Sequence, residues 1–153
     1  MLVRQLMNTN VVYLHPEDTV SNAARTLMRH DIGALPVCSK DGRLRGMVTD
    51  RDIVLRCVAS DTPPEETKLR EIMTRGIITV SPNDSLTEAS KIMADEQVRR
   101  LPVVEGDKLI GMLSLADMAK RKSFDAEVSA ALSEISVKRK APYRVALHRD
   151  KTP

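Results

Sequence analysis

Residues 3–38 recur as residues 69–104. At an offset of 66, Arg4 meets Arg70, Met7 meets Met73, Pro16 meets Pro82, Asp18 meets Asp84 and Ala23 meets Ala89. Leu35-Pro36-Val37 meets Leu101-Pro102-Val103. One residue is then lost in a turn and the offset falls to 65. Leu44 now meets Leu109, Gly46-Met47 meets Gly111-Met112, and Asp52 meets Asp117. A copy of about 60 residues is a supersecondary unit that cannot bury its apolar face alone and needs its twin. The expected organisation is copy one at 1–59, a polar Pro-containing linker at 60–68, copy two at 69–121, a C-terminal helix at 122–136 and a basic tail at 137–153.

Each copy reads the same way. A short helical turn (3–7; 69–73) precedes a brief apolar strand, Val11–Leu14 or Ile77–Val80, ended by Pro16 or Pro82. A helix follows near Thr19 or Ser85. Val20, Ala23, Ala24, Leu27 and Met28 recur at helical spacing in one copy; Leu86, Ala89, Ile92 and Met93 do so in the other. Two strands come next, Ala34–Cys38 with Leu44–Val48 and Leu101–Val104 with Leu109–Leu113, each pair joined by a Gly-containing turn. A second helix begins at Thr49 or Ser114. The predicted class is α/β (α+β), a β-α-β-β-α order run through twice. Residues 125–136 predict one further helix.

The core must be aliphatic, because the only aromatic residues are Tyr13, Phe124 and Tyr143. That excludes modules that stack bases on aromatic platforms. The net charge of +3 is unevenly placed. The tail holds Lys138, Arg139, Lys140, Arg144, Arg149 and Lys151 against Asp150, leaving 18 cationic and 20 acidic residues in 1–136. The body is therefore not a basic protein, and nucleic acid is not its expected partner. No apolar run is long enough to span a bilayer, and Arg4, Gln5, Asn8 and Asn10 interrupt the N-terminus. Cys38 and Cys57 have no metal-ligand spacing, which points to reduced thiols in a cytoplasm. His15, His30 and His148 are scattered, so no metal site is expected. Met7, Met28, Met47, Met73, Met93 and Met112 fall in apolar phases and are expected in the core.

The chemistry-bearing signal is Gly46-Met-Val-Thr49-Asp-Arg51-Asp52, echoed by Gly111-Met-Leu-Ser114-Leu-Ala-Asp117. Glycine admits a close approach of backbone or ligand. A hydroxyl then opens a helix, with a carboxylate three residues on. That pattern caps a helix. The same geometry suits a nucleotide, with phosphate at the helix start and a ribose diol on the carboxylate. Duplication would copy either feature.

The repeated order, the Leu-Pro-Val strand and the Gly-x-x-Thr/Ser-x-x-Asp motif together resemble a pair of CBS domains, the Bateman module, over roughly residues 1–121. The phrases HDIGALPVC, GMVTDRDIV and QVRRLPVV resemble those of small stand-alone bacterial CBS-pair proteins. The resemblance implies two copies packed about a pseudo-two-fold axis, with clefts between them for AMP, ADP, ATP or S-adenosylmethionine. It implies ribose on Asp52 and Asp117, and ribose or phosphate on Thr49 and Ser114. Adenine would lie against backbone near Leu14-His15 and Val80-Ser81, flanked by the chain around Pro36 and Pro102. Phosphate would fall to Arg99 and Arg100; the alternative is that one of them covers an adjacent apolar face while the other points to water. Copy one has Gly33-Ala34 at those positions and Arg51 where copy two has Ala116, so the clefts should differ. The expectation favours the one at Thr49, Arg51 and Asp52.

With both copies used for binding, no catalytic domain is left over, and no cofactor is required. The expected function is a cytoplasmic, homodimeric sensor of an adenosine-containing ligand that acts on a protein partner. The alternatives are a structural dimerisation module with vestigial clefts, or a nucleic-acid or anionic-surface binder acting through the basic C-terminal tail.

Overall fold

A computed structural model describes residues 1–137. The basic tail lies outside the described residues. The described residues form two compact units, one made of Val12–Ile77, the other of Met1–Val11 with residues 78–137.

In the unit of residues 12–77, helix α1 (Val20–His30) starts where Thr19 Oγ1 accepts the Asn22 N–H at 3.1 Å. It ends at Asp31, whose φ of 52° stops the helical path. Strands β1 (Ala34–Cys38) and β2 (Leu44–Thr49) pair antiparallel, Ala34 opposite Thr49 and Pro36 opposite Met47. Helix α2 (Asp50–Ile53) runs on into a π-turn, Val54–Val58, and α3 spans Leu69–Ile72. The core packs Val20, Ala23 and Leu27 of α1 onto Leu35, Val37 and Val48, with Cys57, Leu69, Ile72 and Met73.

The second unit repeats the plan. Its α4 (Leu86–Glu96) is capped by Ser85, β3 (Arg100–Glu105) pairs antiparallel with β4 (Lys108–Ser114), and α5 spans Leu115–Ala119. A 3-10 turn at Lys122–Phe124 leads into α6 (Asp125–Ser136). Phe124, Val128 and Ala131 join the core of Val3, Val80, Leu86, Ala89, Met93, Leu101, Val103, Leu113, Leu115 and Met118.

Three details differ from the sequence expectation. The first strand of each copy is reduced to a single parallel bridge, Leu14 to Val37 and Val80 to Val103. Each copy's leading turn sits in the other unit. The Leu69 and Arg70 N–H groups bond to Asp18 and Pro16 carbonyls, while Val3 and Arg4 bond to Asp84 and Pro82 in the same way. Met28 is 77% exposed rather than in the core. Its counterpart Ala94 lines a groove beneath α6, whereas among the described residues α1 has no counterpart of α6 within its own unit.

Both cysteines are buried free thiols. Burial pushes the Cys38 thiol up to about 11. The thiolate is the reactive form, so native Cys38 is expected to resist disulfide reagents at pH 8 and to react only after denaturant is added. The raised folded value has a consequence for stability. The contribution is complete below the unfolded thiol value and is lost as pH rises towards 11.

Candidate functional site

Both motifs close as capping boxes. Thr49 Oγ1 accepts the Asp52 N–H at 3.0 Å, and Asp52 Oδ2 accepts the Thr49 N–H at 2.9 Å. Ser114 Oγ accepts the Asp117 N–H at 3.0 Å. Asp117 Oδ2 accepts from the Ser114 N–H at 3.3 Å and the Ser114 hydroxyl at 2.7 Å. Each carboxylate thus has a structural task at a helix start before any ligand is considered.

The motif glycines serve the chain itself. A Cβ on Gly46 would lie 2.6 Å from the Thr74 carbonyl oxygen. That approach lets Met47 and Thr74 exchange both backbone hydrogen bonds, at 3.0 and 2.8 Å. Gly111 admits Met7 and Asn8 in the same manner, and Asn8 exchanges hydrogen bonds with Met112 at 2.8 and 2.9 Å.

The aspartates differ in access. Asp52 is 2% exposed. The Thr74 hydroxyl lies 3.4 Å from both its oxygens, and Arg56 Nη1 lies 3.8 Å from Oδ1. The same Arg56 nitrogen donates to the Ile72 carbonyl at 3.0 Å and to Thr74 Oγ1 at 3.1 Å. The Asp117 side chain is 29% exposed, with the exposed Lys120 ammonium 3.8 Å away. A pair that open is worth little.

Cations are also distributed unequally. Arg100 stands opposite Ser114 in the β3–β4 register, and the Arg99 carbonyl accepts the Leu115 N–H at 2.7 Å. Both arginines are exposed. In the other unit Ala34 stands opposite Thr49, and the exposed Arg51 sits on α2.

At the adenine-side positions most backbone groups are already engaged. The Leu14 N–H donates to Pro36, and its carbonyl accepts from Cys38. The His15 N–H goes to Asp18 Oδ2 at 2.8 Å. Val80 pairs with Pro102 and Val104, and the Ser81 N–H goes to Asp84 Oδ2 at 2.8 Å. Pro36 and Pro102 are buried. The open backbone edge is one residue earlier. The N–H and C=O of Tyr13 and Thr79 have no hydrogen-bond partner among the described residues. His15 Nδ1 lies 2.8 Å from the Cys38 carbonyl. A carbonyl only accepts, so Nδ1 carries the proton and His15 ties its turn to β1.

The candidate residues divide between the units. Leu14, His15, Pro36, Thr49, Arg51 and Asp52 lie in one; Val80, Ser81, Arg99, Arg100, Pro102, Ser114 and Asp117 lie in the other. The sequence pattern does not single out Arg56 or Thr74. An Asp and an Arg four apart on a predicted helix are the available signal for Arg56. Nothing local marks Thr74. Among the described residues no His, Cys, Asp and Glu group is arranged to hold a metal, and no helix is long and apolar enough to cross a membrane.

The CBS domain family profile matches residues 3–59 and 69–123. Hypoxic response protein 1 of Mycobacterium tuberculosis is 39% identical over 117 residues, 76% of this chain and 82% of that protein. A crystal structure of hypoxic response protein I with two coordinated zinc ions matches with a TM-score of 0.74 at 38% identity, covering 79% of this chain and 98% of that one. The CBS domain pair of MJ0100, in complex with 5'-methylthioadenosine and S-adenosyl-L-methionine, matches with a TM-score of 0.70 at 25% identity, covering 78% and 94%. CBSX2 in complex with AMP gives 0.69 at 26% identity, covering 78% and 93%.

Proposed function

Because this chain belongs to the CBS domain family, we propose that it is a non-catalytic regulatory module whose ligand is an adenine nucleotide held at the Ser114–Asp117 motif. The observation that carries this reading is the partly exposed Asp117 carboxylate on the unit that also holds the exposed Arg99 and Arg100. A carboxylate accepts both hydroxyls of a ribose diol, and arginine matches phosphate geometry. The unengaged backbone of Thr79 offers a donor and an acceptor to the adenine edge. The adenosyl ligands of MJ0100 and CBSX2 support the class. Two arginines favour AMP, ADP or ATP over S-adenosylmethionine, whose sulfonium they would repel.

The module acts by population shift, since a ligand that prefers one arrangement of the chain enriches it. A cytoplasmic homodimer relaying that change to a protein partner completes the proposal. Calorimetry with AMP, ADP, ATP and S-adenosylmethionine tests it. Nucleotide binding that weakens with salt is expected, and Asp117→Ala should weaken it about tenfold to a hundredfold. Heat from S-adenosylmethionine alone, or nucleotide affinity unchanged in Asp117→Ala, overturns the assignment. No heat from any of the four favours a module with vestigial clefts.

A further inference from the structure

The two motifs share their sequence pattern and capping geometry, yet one aspartate is 2% exposed while the other side chain is 29% exposed. We propose that Arg56 and Thr74 form an internal clamp that occupies the Asp52 carboxylate, so that only the Asp117 motif takes ligand until the clamp is released. This rests on the nucleotide-binding reading above and adds a regulation of its other site.

The cause lies in two positions where the copies differ. In the first unit the helix begun at Asp50 continues through the π-turn to Val58. Arg56 therefore returns to the face of Asp52, four residues earlier. In the second unit α5 ends at Ala119, and the equivalent Arg121 falls in an exposed turn leading to the 3-10 segment. It does not come back over Asp117. The second position is Thr74, whose equivalent is Asn8. Thr74 offers its hydroxyl to Asp52 while accepting from Arg56. Asn8 turns its carboxamide oxygen onto its own loop, where it accepts the Asn10 N–H at 3.0 Å. The clamp needs both residues, and only the first unit has both in place.

The chemistry of the clamp is that of the ligand it excludes. A ribose diol would donate two hydrogen bonds to the carboxylate. Asp52 already receives the Thr49 N–H, the Thr74 hydroxyl and the nearby guanidinium. A ribose must displace the Thr74 hydroxyl and separate the Arg56 charge, 12% exposed, from the nearby anion. Apparent affinity falls in proportion to the fraction of chains with the clamp open.

The test is AMP calorimetry on the full chain, its Asp117→Ala variant, and a clamp-free Arg56→Gln, Thr74→Ala variant, with folding checked by circular dichroism. A single AMP per wild-type chain is expected, its affinity falling about tenfold to a hundredfold in Asp117→Ala. The clamp-free chain should gain a second AMP, binding about tenfold or more tightly than any residual uptake in Asp117→Ala. Half of the wild-type binding surviving in Asp117→Ala overturns the clamp. A folded clamp-free chain that gains nothing also overturns it. Should the double variant fail to fold, Thr74→Ala alone and the Asp117→Ala result still decide the question. Absence of heat from AMP, ADP and ATP with wild type removes the nucleotide-binding reading itself, and the clamp with it. Two equivalent AMP sites on wild type remove the clamp only.

Discussion

Asp52→Ala is expected to lower folding stability by about 3 kcal/mol, whereas Asp117→Ala should cost under about 1 kcal/mol. Both aspartates close the same kind of capping box, so the contrast comes from surroundings. Removing the Asp52 carboxylate takes the acceptor from the Thr49 N–H and leaves the half-hidden Arg56 guanidinium without its neighbouring anion. Breaking a buried pair from one side is costly because the remaining charge stays poorly solvated. Asp117 faces solvent and an exposed lysine, so water compensates most of what is lost. For a chain of this size the expected drop in Tm is about 6–12 °C for Asp52→Ala. Hydrogen exchange should place the loss in residues 12–77. Equal shifts for the two alanine variants would show that the Arg56–Thr74 network contributes nothing.

Gly46→Ala is the second large effect, expected to destabilise by about 2–3 kcal/mol. Its new methyl would sit 2.6 Å from a backbone oxygen, and the Met47–Thr74 bridge holds that oxygen in place. Relief requires the segment at 73–74 to move, which also withdraws Thr74 from Asp52. Gly111→Ala should cost less. Its tightest contact, at 2.9 Å, is the sulfur of Met7, the end of a flexible side chain, and the backbone oxygen of Asn8 is 3.1 Å away. Urea midpoints with unchanged slopes measure both. A Gly111→Ala loss equal to that of Gly46→Ala would contradict the steric account.

Local chemistry is legible in the amino-acid order. Thr19, Ser85, Thr49 and Ser114 each stand at a predicted helix start, and each caps one, because an N-cap depends only on the next three residues. Asp125–Ser136 forms the expected last helix for the same reason, its apolar spacing being a local property. Features that depend on distant partners are not legible in this way. An apolar pattern puts Met28 on the side of α1 that α6 would cover in the other copy, but it cannot say that α6 belongs to one unit only. The first strands are short and meet a neighbour at one residue, so their composition overstates their β character. The duplication also aligns Asp52 with Asp117 without revealing that a threonine from residue 74 reaches one of them. The sequence favours the Asp52 motif as the better site. Access in the folded chain favours Asp117.

The exchanged leading turns impose an order on how the protein is made. A chain leaves the ribosome from its N-terminus, so Val3, Leu6 and Met7 emerge first. Their places are in the core built by Val80 to Ala131, which emerges later. The unit of residues 12–77 can close as soon as Leu69–Thr74 is out, while the opening segment waits for the second copy. A chain cut within 60–68 would release neither unit whole. One piece would lack α3, and the other would lack the strip that covers Gly111. The duplication yields two copies in sequence, but the opening segment finds its place only once the second copy has been made.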